Sequence, residues 1–308
     1  MILNIFKHGY QFIKDSRFRI KVLDSLGFYN NMEDKEYLMK MYYCYFGKQL
    51  NLNNPQSFNE KLQWLKLYDR KTTYTDIVDK NEIKRIIERK FGKEYVIPNY
   101  GVWEKFEEID FAQLPEKFVL KTTHDSGGVV ICEDKSKFDF LAAKKKLEKS
   151  LKSNFYKYRR EWPYKNVRPR IIAEMYISNN DREVDDYKVH CFNGMPKITL
   201  VCSDRFSKTG LTEDFYDNEW NHLNMKRPEV NNAIIHHEKP ADFEKMLEMA
   251  SILSKDYPFL RVDYYVIDKQ IYVGELTLYP SSGFSGFEPE SWDLELGKWI
   301  SLPNRFLN

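Results

Sequence analysis

Apolar positions change their spacing about a third of the way along the chain. Up to roughly residue 115 the pattern is mainly helical. Ser57 precedes Glu60 by three residues, a capping-box signature, and Leu62, Leu65 and Tyr68 follow at helical intervals. Asp79-Lys80 opens a polar helix that Gly92 stops, with Pro98 beyond it. From about 116 the period shortens to that of strands. Lys117–Lys121 and Val129–Cys132 read as two strands around a glycine-containing turn, followed by a helix over 138–151. Ile171–Glu174 is a short apolar strand ending in an acid. Tyr187–Phe192 and Pro196–Val201 flank Asn193-Gly194, the strongest hairpin signal in the sequence. The stretch 203–235 is polar and irregular, and reads as a long loop. Over 242–256, Phe243, Met246, Leu247, Ala250 and Leu253 form one helical stripe. Leu260–Ile267 and Ile271–Leu278 make the last strand pair. No internal repeat or low-complexity segment interrupts this order.

With 308 residues the chain can bury a substantial core, and 42% hydrophobic with 16% aromatic content excludes a disordered protein. The formal charge of +2 gives no reason to expect a nucleic-acid partner. The charge is unevenly placed, however. Between Lys144 and Arg170 there are eleven Lys/Arg against Glu148 and Glu161. This run is either a solvated surface or a funnel for an anionic substrate. Cys44, Cys132, Cys191 and Cys202 form no C-x-x-C pair, and Cys132 and Cys191 sit in apolar runs as small core residues, which fits a reducing cytoplasm. The segment beginning Met1-Ile-Leu-Asn-Ile-Phe does not read as a signal peptide. No stretch approaches a membrane span, although a basic, aromatic first helix can make peripheral membrane contact.

Three separated segments carry the chemistry. In the final hairpin, side chains alternate faces. A two-residue loop would set Asp263 opposite Gly274. A three-residue loop, or an equivalent bulge, would set Asp263 opposite Glu275 and Arg261 opposite Thr277. Facing carboxylates repel unless a cation lies between them, so a three-residue loop or an equivalent bulge, with a magnesium site above it, is expected there. Lys121 ends an apolar strand just before His124-Asp125-Ser126-Gly127-Gly128, and an ammonium beside a glycine turn suits phosphate oxygens. The same residues also read as an ordinary turn. Glu174 closes a strand whose backbone can border a purine slot. Asp186 and Lys188 share a face of the next strand, and Lys80 is either a second phosphate lysine or a solvated one.

In this order the chain resembles the ATP-grasp superfamily, and within it the TupA-like branch, named for a teichuronopeptide-biosynthesis protein. The resemblance rests on Phe58-Asn-Glu-Lys-Leu-Gln-Trp64, Asp79-Lys80, Phe118–Gly128, Asp186–Gly194, Arg261-Val-Asp263, Gly274-Glu-Leu-Thr277, Tyr279-Pro-Ser-Ser-Gly-Phe284 and Trp292-Asp293, and runs from about Tyr43 to Trp299. It implies an α+β fold in which two subdomains clasp ATP, here 79–185 and 186–308, behind a helical region over 1–78. It implies cofactor contacts from Lys80, Lys121 and the turn His124, Ser126, Gly127 and Gly128. Glu174 would stand at the adenine hinge, and Asp186 with Lys188 near the ribose. Asp263, Glu275 and Thr277 would hold Mg2+, with threonine where many members carry asparagine. Arg261 and Lys121 would act in catalysis.

The reaction so implied is ATP-dependent ligation of a carboxylate to an amine through an acyl-phosphate, within capsule or other cell-surface polysaccharide biosynthesis. The expected partners are an anionic sugar or glycan carboxylate and a small amine or amino acid. Trp162, Trp220 and Trp292 are candidates to stack on sugar rings or to pack in the core. A glycosyltransferase would need a sugar-nucleotide site, and no Asp-x-Asp occurs; Asp181–Glu183 and Glu183–Asp185 are weak substitutes. A kinase could use the same ATP-binding segments on a hydroxyl, and a glycan-binding protein would not need the two carboxylates.

Overall fold

Two antiparallel sheets frame a cleft in this computed structural model, which describes residues 12–178, 184–205, 207 and 210–304. Helices come first, among them α1 (Ser16–Ser25), α2 (Asp34–Phe46), α3 (Phe58–Tyr68), α4 (Thr73–Val78) and α5 (Glu82–Phe91). The capping box expected at Ser57 and Glu60 is formed at the start of α3. Gly92 ends α5 at φ 112°, where a side chain would be strained. The leading segment considered for membrane contact, residues 1–11, and the Asp181–Glu183 stretch lie outside the described residues. Among the described residues no helix is long and apolar enough to cross a membrane.

The smaller sheet has the order β1-β4-β2-β3, from β1 (Asn99–Trp103), β2 (Phe118–Thr122), β3 (Val129–Cys132) and β4 (Ile171–Met175). The edge strand β1 falls in the region read as helical. Five residues with a central glycine carry too little periodicity to announce a strand, and pairing to β4 supplies it. Beneath this sheet a separate core joins Phe118, Leu120, Ile171 and Ala173 to Ala143 and Leu147 of α6 (Phe140–Leu151).

The larger sheet has the order β7-β6-β5-β8-β9. Its first hairpin, β5 (Asp186–Phe192) and β6 (Met195–Ser203), turns through Asn193 (φ 50°) and Gly194 (φ 80°), as Asn-Gly predicts. β7 (Thr212–Asp217) lies within the stretch read as a loop. Its Glu213 and Asp214 are polar yet buried, so the alternation that marks a strand is masked. α7 (Phe243–Ser254) buries Met246, Ala250 and Leu253, as its stripe requires. β8 (Phe259–Ile267) and β9 (Gln270–Thr277) close the sheet, and α8 (Ser291–Lys298) follows. The N-terminal helices are not separately cored: Leu38, Met41, Leu62 and Leu65 share one cluster with Val189, Phe192 and Leu260 of the larger sheet. All four cysteines are free and buried.

Candidate active site

The cleft between the sheets has a volume of about 1960 Å³ and draws side chains from both. That exceeds the roughly 300–1,000 Å³ of a typical small-ligand pocket, leaving room for two substrates side by side.

The β8–β9 hairpin reaches the expected pairing through a bulge rather than through a three-residue loop. Its loop has two residues, Asp268 (φ 48°) and Lys269 (φ 68°), and Ile267 pairs with Gln270. A bulge at Gly274 then shifts the register, so Asp263 faces Glu275 and Arg261 faces Thr277. A Cβ on Gly274 would come within 2.6 Å of the Tyr265 ring, so glycine is needed at the bulge.

The two carboxylates differ sharply in their surroundings. Arg261 grips Asp263 in a fork, with Nε 2.6 Å from Oδ1 and Nη2 2.7 Å from Oδ2. Lys188 Nζ adds a bond of 2.8 Å to Oδ2. Burial raises the Asp263 pKa, but Arg261 and then Lys188 override it and hold the group well below the usual carboxylate range. Lys188 also lies 3.2 Å from Asp186, which Arg205 approaches at 2.8 Å. Arg261 Nη2 donates to the Thr277 hydroxyl at 3.1 Å. Glu275 lines the same cleft and has no hydrogen bond or ion pair among the described residues. Asp263 Oδ2 has both lone pairs engaged; Oδ1 keeps one. The donor set fits a hard cation: a free carboxylate, one open lone pair opposite it, and a neighbouring hydroxyl.

On the smaller sheet, Glu174 sits between two lysines. Lys121 Nζ is 2.6 Å from Oε2 and Lys84 Nζ is 2.9 Å from Oε1. Burial pushes Lys121 down, but Glu174 outweighs it and its pKa stands above the ordinary value. Lys84 escaped sequence reasoning, which stopped at Lys80. Its position one helical turn further along α5 was the available signal. Lys80 does line the cleft, its Nζ bonded to the Asp125 carbonyl.

The glycine turn is organised by Asp125. Its Oδ1 accepts from the Thr122 hydroxyl and from Gly128 N at 3.2 Å, and Ser150 Oγ donates to Oδ2. The Gly128 N–H therefore points into the turn. A Cβ there would lie 1.8 Å from Thr122 Oγ1, so this glycine serves packing. Ser126 and Gly127 line the cleft. His124 is buried, with Nε2 3.2 Å from the Ser150 carbonyl, and does not line the cleft.

The basic run divides. Lys144 pairs with Glu107, Arg168 with Glu104 and Arg170 with Asp79, while Arg160 is buried against Asp34. Lys146 and Arg159 reach the cleft. Part of the apparent funnel is thus neutralised within the fold. The tryptophans stay out of the cleft: Trp220 stacks on Tyr216 with centroids 4.4 Å apart, and Trp292 donates to the Asn224 carbonyl at 2.8 Å. The cleft's rings instead include Tyr158, Tyr164, Tyr279 and Phe284.

Beside them Ser281 (φ 47°), Ser282 (φ 55°) and Gly283 (φ 63°) form a left-handed run. Buried Lys66 anchors it, donating to the Ser282 carbonyl at 2.6 Å and the Arg159 carbonyl at 3.0 Å. Burial pushes the Lys66 ammonium down to about 7 against the opposing pull of Glu161.

Acid should unpick this site in a defined window. Burial raises Glu174, but Lys121 and Lys84 pull it down to about 2 from an ordinary 4.5. A lowered carboxylate contributes stability that is full above the unfolded pKa and is lost as pH falls through the folded one. The shift corresponds to about 3 kcal/mol. Melting temperature is expected to fall between pH 4.5 and 2. Glu174→Gln should flatten that part of the profile while lowering stability at pH 7. An unchanged acid profile in the variant would remove Glu174 from this role.

The two antiparallel sheets and the cleft between them, lined by lysines and carboxylates, have the ATP-grasp fold. More narrowly, the chain belongs to the TupA-like ATPgrasp family, whose profile matches residues 60–301. No curated protein matches the sequence. Among solved structures it is similar to D-alanine–D-alanine ligase from Bacillus anthracis complexed with ATP, at 20% identity over 66% of this chain and 55% of that one, with a TM-score of 0.39. It is also similar to a RimK domain ATP-grasp protein from Sphaerobacter thermophilus, at 12% identity over 76% and 70%, with a TM-score of 0.43. The chain thus spans little more than half of the Bacillus anthracis ligase.

Proposed function

We propose that the chain joins a carboxylate to an amine at the expense of ATP, and that the carboxylate belongs to a uronic acid on a sugar nucleotide or a cell-surface polysaccharide. The observation that carries this reading is the single cleft in which Lys121, Lys80, Arg261 and the free carboxylate of Glu275 converge, with space for a second substrate. Lys80 and Lys121 suit the phosphates. Met175, Tyr176 and Ile177, just past Glu174, border the cleft beside Val119 and suit the purine. With its own side chain held by two lysines, Glu174 positions Lys121 rather than touching the base. Asp186 and Lys188 suit the ribose side.

Magnesium would be held by Glu275, by Asp263 through Oδ1, and by the Thr277 hydroxyl; when bound it neutralises phosphate charge. The side chains position and neutralise. A carboxylate is a poor electrophile until a phosphoryl group is attached to it. Arg261 stands where it can stabilise the transferred phosphoryl, and amine attack then expels phosphate. The left-handed run Ser281–Gly283, with Arg159 and the rings of Tyr158 and Tyr279, suits an anionic sugar. Family membership supports a place in polysaccharide biosynthesis.

The direct test supplies ATP, magnesium, uronic-acid sugar nucleotides and pooled amines. ADP and phosphate released only with both partners, and a product heavier by the amine less one water, are expected. Phosphate left on the sugar would replace this reading with a kinase; nucleotide released from the sugar without ATP turnover would replace it with a glycosyltransferase. In the same system Lys121→Ala should weaken nucleotide binding about tenfold or more, a loss of one charge-assisted phosphate contact. Unchanged affinity by calorimetry would remove Lys121 from the site.

A further inference from the structure

Three of the six histidines fall within 222–237, in the irregular segment that crosses the edge strand β7. Two of them cluster with one oxygen of a carboxylate, and the third, His237, has Nε2 3.8 Å from the other oxygen of the same group. Asp214 is fully buried, and its Oδ1 lies 2.9 Å from His222 Nε2. The His222 and His236 rings stand with centroids 4.1 Å apart. One donor atom from each of Asp214, His222 and His236 lies within 4.8 Å of the others. Asp214 Oδ2 is held by the Ala233 N–H at 2.9 Å, which leaves Oδ1 to serve the imidazoles.

The cluster is distinct from the cleft. Side chains alternate along β7. Glu213 lies beside Arg227, which bonds Ser281 of the cleft, whereas Asp214 shares the other face with Tyr216. There Tyr216 is stacked on Trp220 and its hydroxyl accepts from His237 N at 2.9 Å.

We propose that Asp214, His222 and His236 bind a zinc-like divalent cation that staples the 218–241 segment to the edge of the larger sheet. Two imidazoles and one carboxylate are a borderline-soft set that suits zinc and its first-row neighbours rather than magnesium. Bonds of about 2.0–2.2 Å place tetrahedral donors about 3.3–3.6 Å apart. The existing hydrogen bond need open by only a few tenths of an ångström, and the other donors draw in. His236 is exposed, so water completes the shell. The segment it would hold has no helix or strand between β7 and α7, and its tip carries the exposed Ile234 and Ile235. A metal that binds only the folded loop stabilises it by mass action.

The test uses the full chain, stripped with chelator and titrated with zinc alone by calorimetry. One zinc per chain is expected, with a rise in melting temperature and, for cobalt in its place, a tetrahedral absorption band. His236→Ala removes an exposed ligand and leaves the Asp214–His222 bond in place, so it should fold. It should bind zinc at least tenfold more weakly and lose the thermal response. Wild-type zinc affinity in that variant, or no stoichiometric binding in the natural chain, would overturn the site. Because no cleft residue takes part, magnesium-dependent nucleotide binding should be the same in both proteins.

Discussion

Glu275→Gln is expected to cut magnesium-dependent ATP turnover by about 100-fold or more and to move the melting temperature by no more than about 2 °C. The two effects separate because Glu275 is the carboxylate without a partner among the described residues. It faces Asp263 across β8 and β9, lines the cleft, and stabilises no neighbouring cation by direct contact. Glutamine keeps its size and removes the charge. The loss of one charged ligand raises the barrier by several kcal/mol, and each 1.36 kcal/mol is tenfold in rate. Kinetics at several magnesium concentrations, with thermal unfolding of the same samples, make the check. Near-normal turnover at limiting magnesium would remove Glu275 from the metal site.

Asp263→Asn should give the opposite balance, with a large loss of stability as well as of activity. Asp263 is 3% exposed and is the common partner of Arg261 and Lys188. Neutralising it leaves two cations together in a desolvated site. Breaking a buried pair from one side costs about 3–5 kcal/mol, or roughly 10 °C of melting temperature. The pH sign agrees. The lowered pKa of Asp263 contributes stability that is full above the ordinary carboxylate range and lost as acid protonates it. Arg261→Met in the same background should restore part of the stability and none of the activity. A variant as stable as the natural chain would mean that the cations reach solvent.

The two carboxylates look equivalent in Arg-Val-Asp and Gly-Glu-Leu-Thr, and the structure makes one a charge anchor and leaves the other without a hydrogen bond or ion pair among the described residues. Their facing register was legible because strand alternation allows few pairings and like charges rarely face each other without a cation. The device that produces it, a bulge at Gly274 above a two-residue loop, was not separable from a longer loop. Either inserts one residue on the same side.

Lys84 shows where linear reading stopped. Along α5 nothing distinguishes it from other lysines of a polar helix. Only the folded chain brings its ammonium to Glu174, 90 residues further on. The same limit explains the basic run. Eleven cations read as a field along the chain, but Asp34, Asp79, Glu104 and Glu107 return from distant segments to neutralise several of them. β7 was missed because its buried acids disguise the strand period.

Spacing along the chain was enough to set out the alternation of helices and strands, the Asn-Gly hairpin, the capped α3 and the chemistry-bearing segments. These depend on neighbours within a few residues: apolar period, turn conformation and end caps. Which charges are spent within the protein, and which are left for ligands, emerged only once the chain was folded. That allocation depends on burial and on partners tens to more than a hundred residues away, since a carboxylate's availability is set by the cations that fold around it.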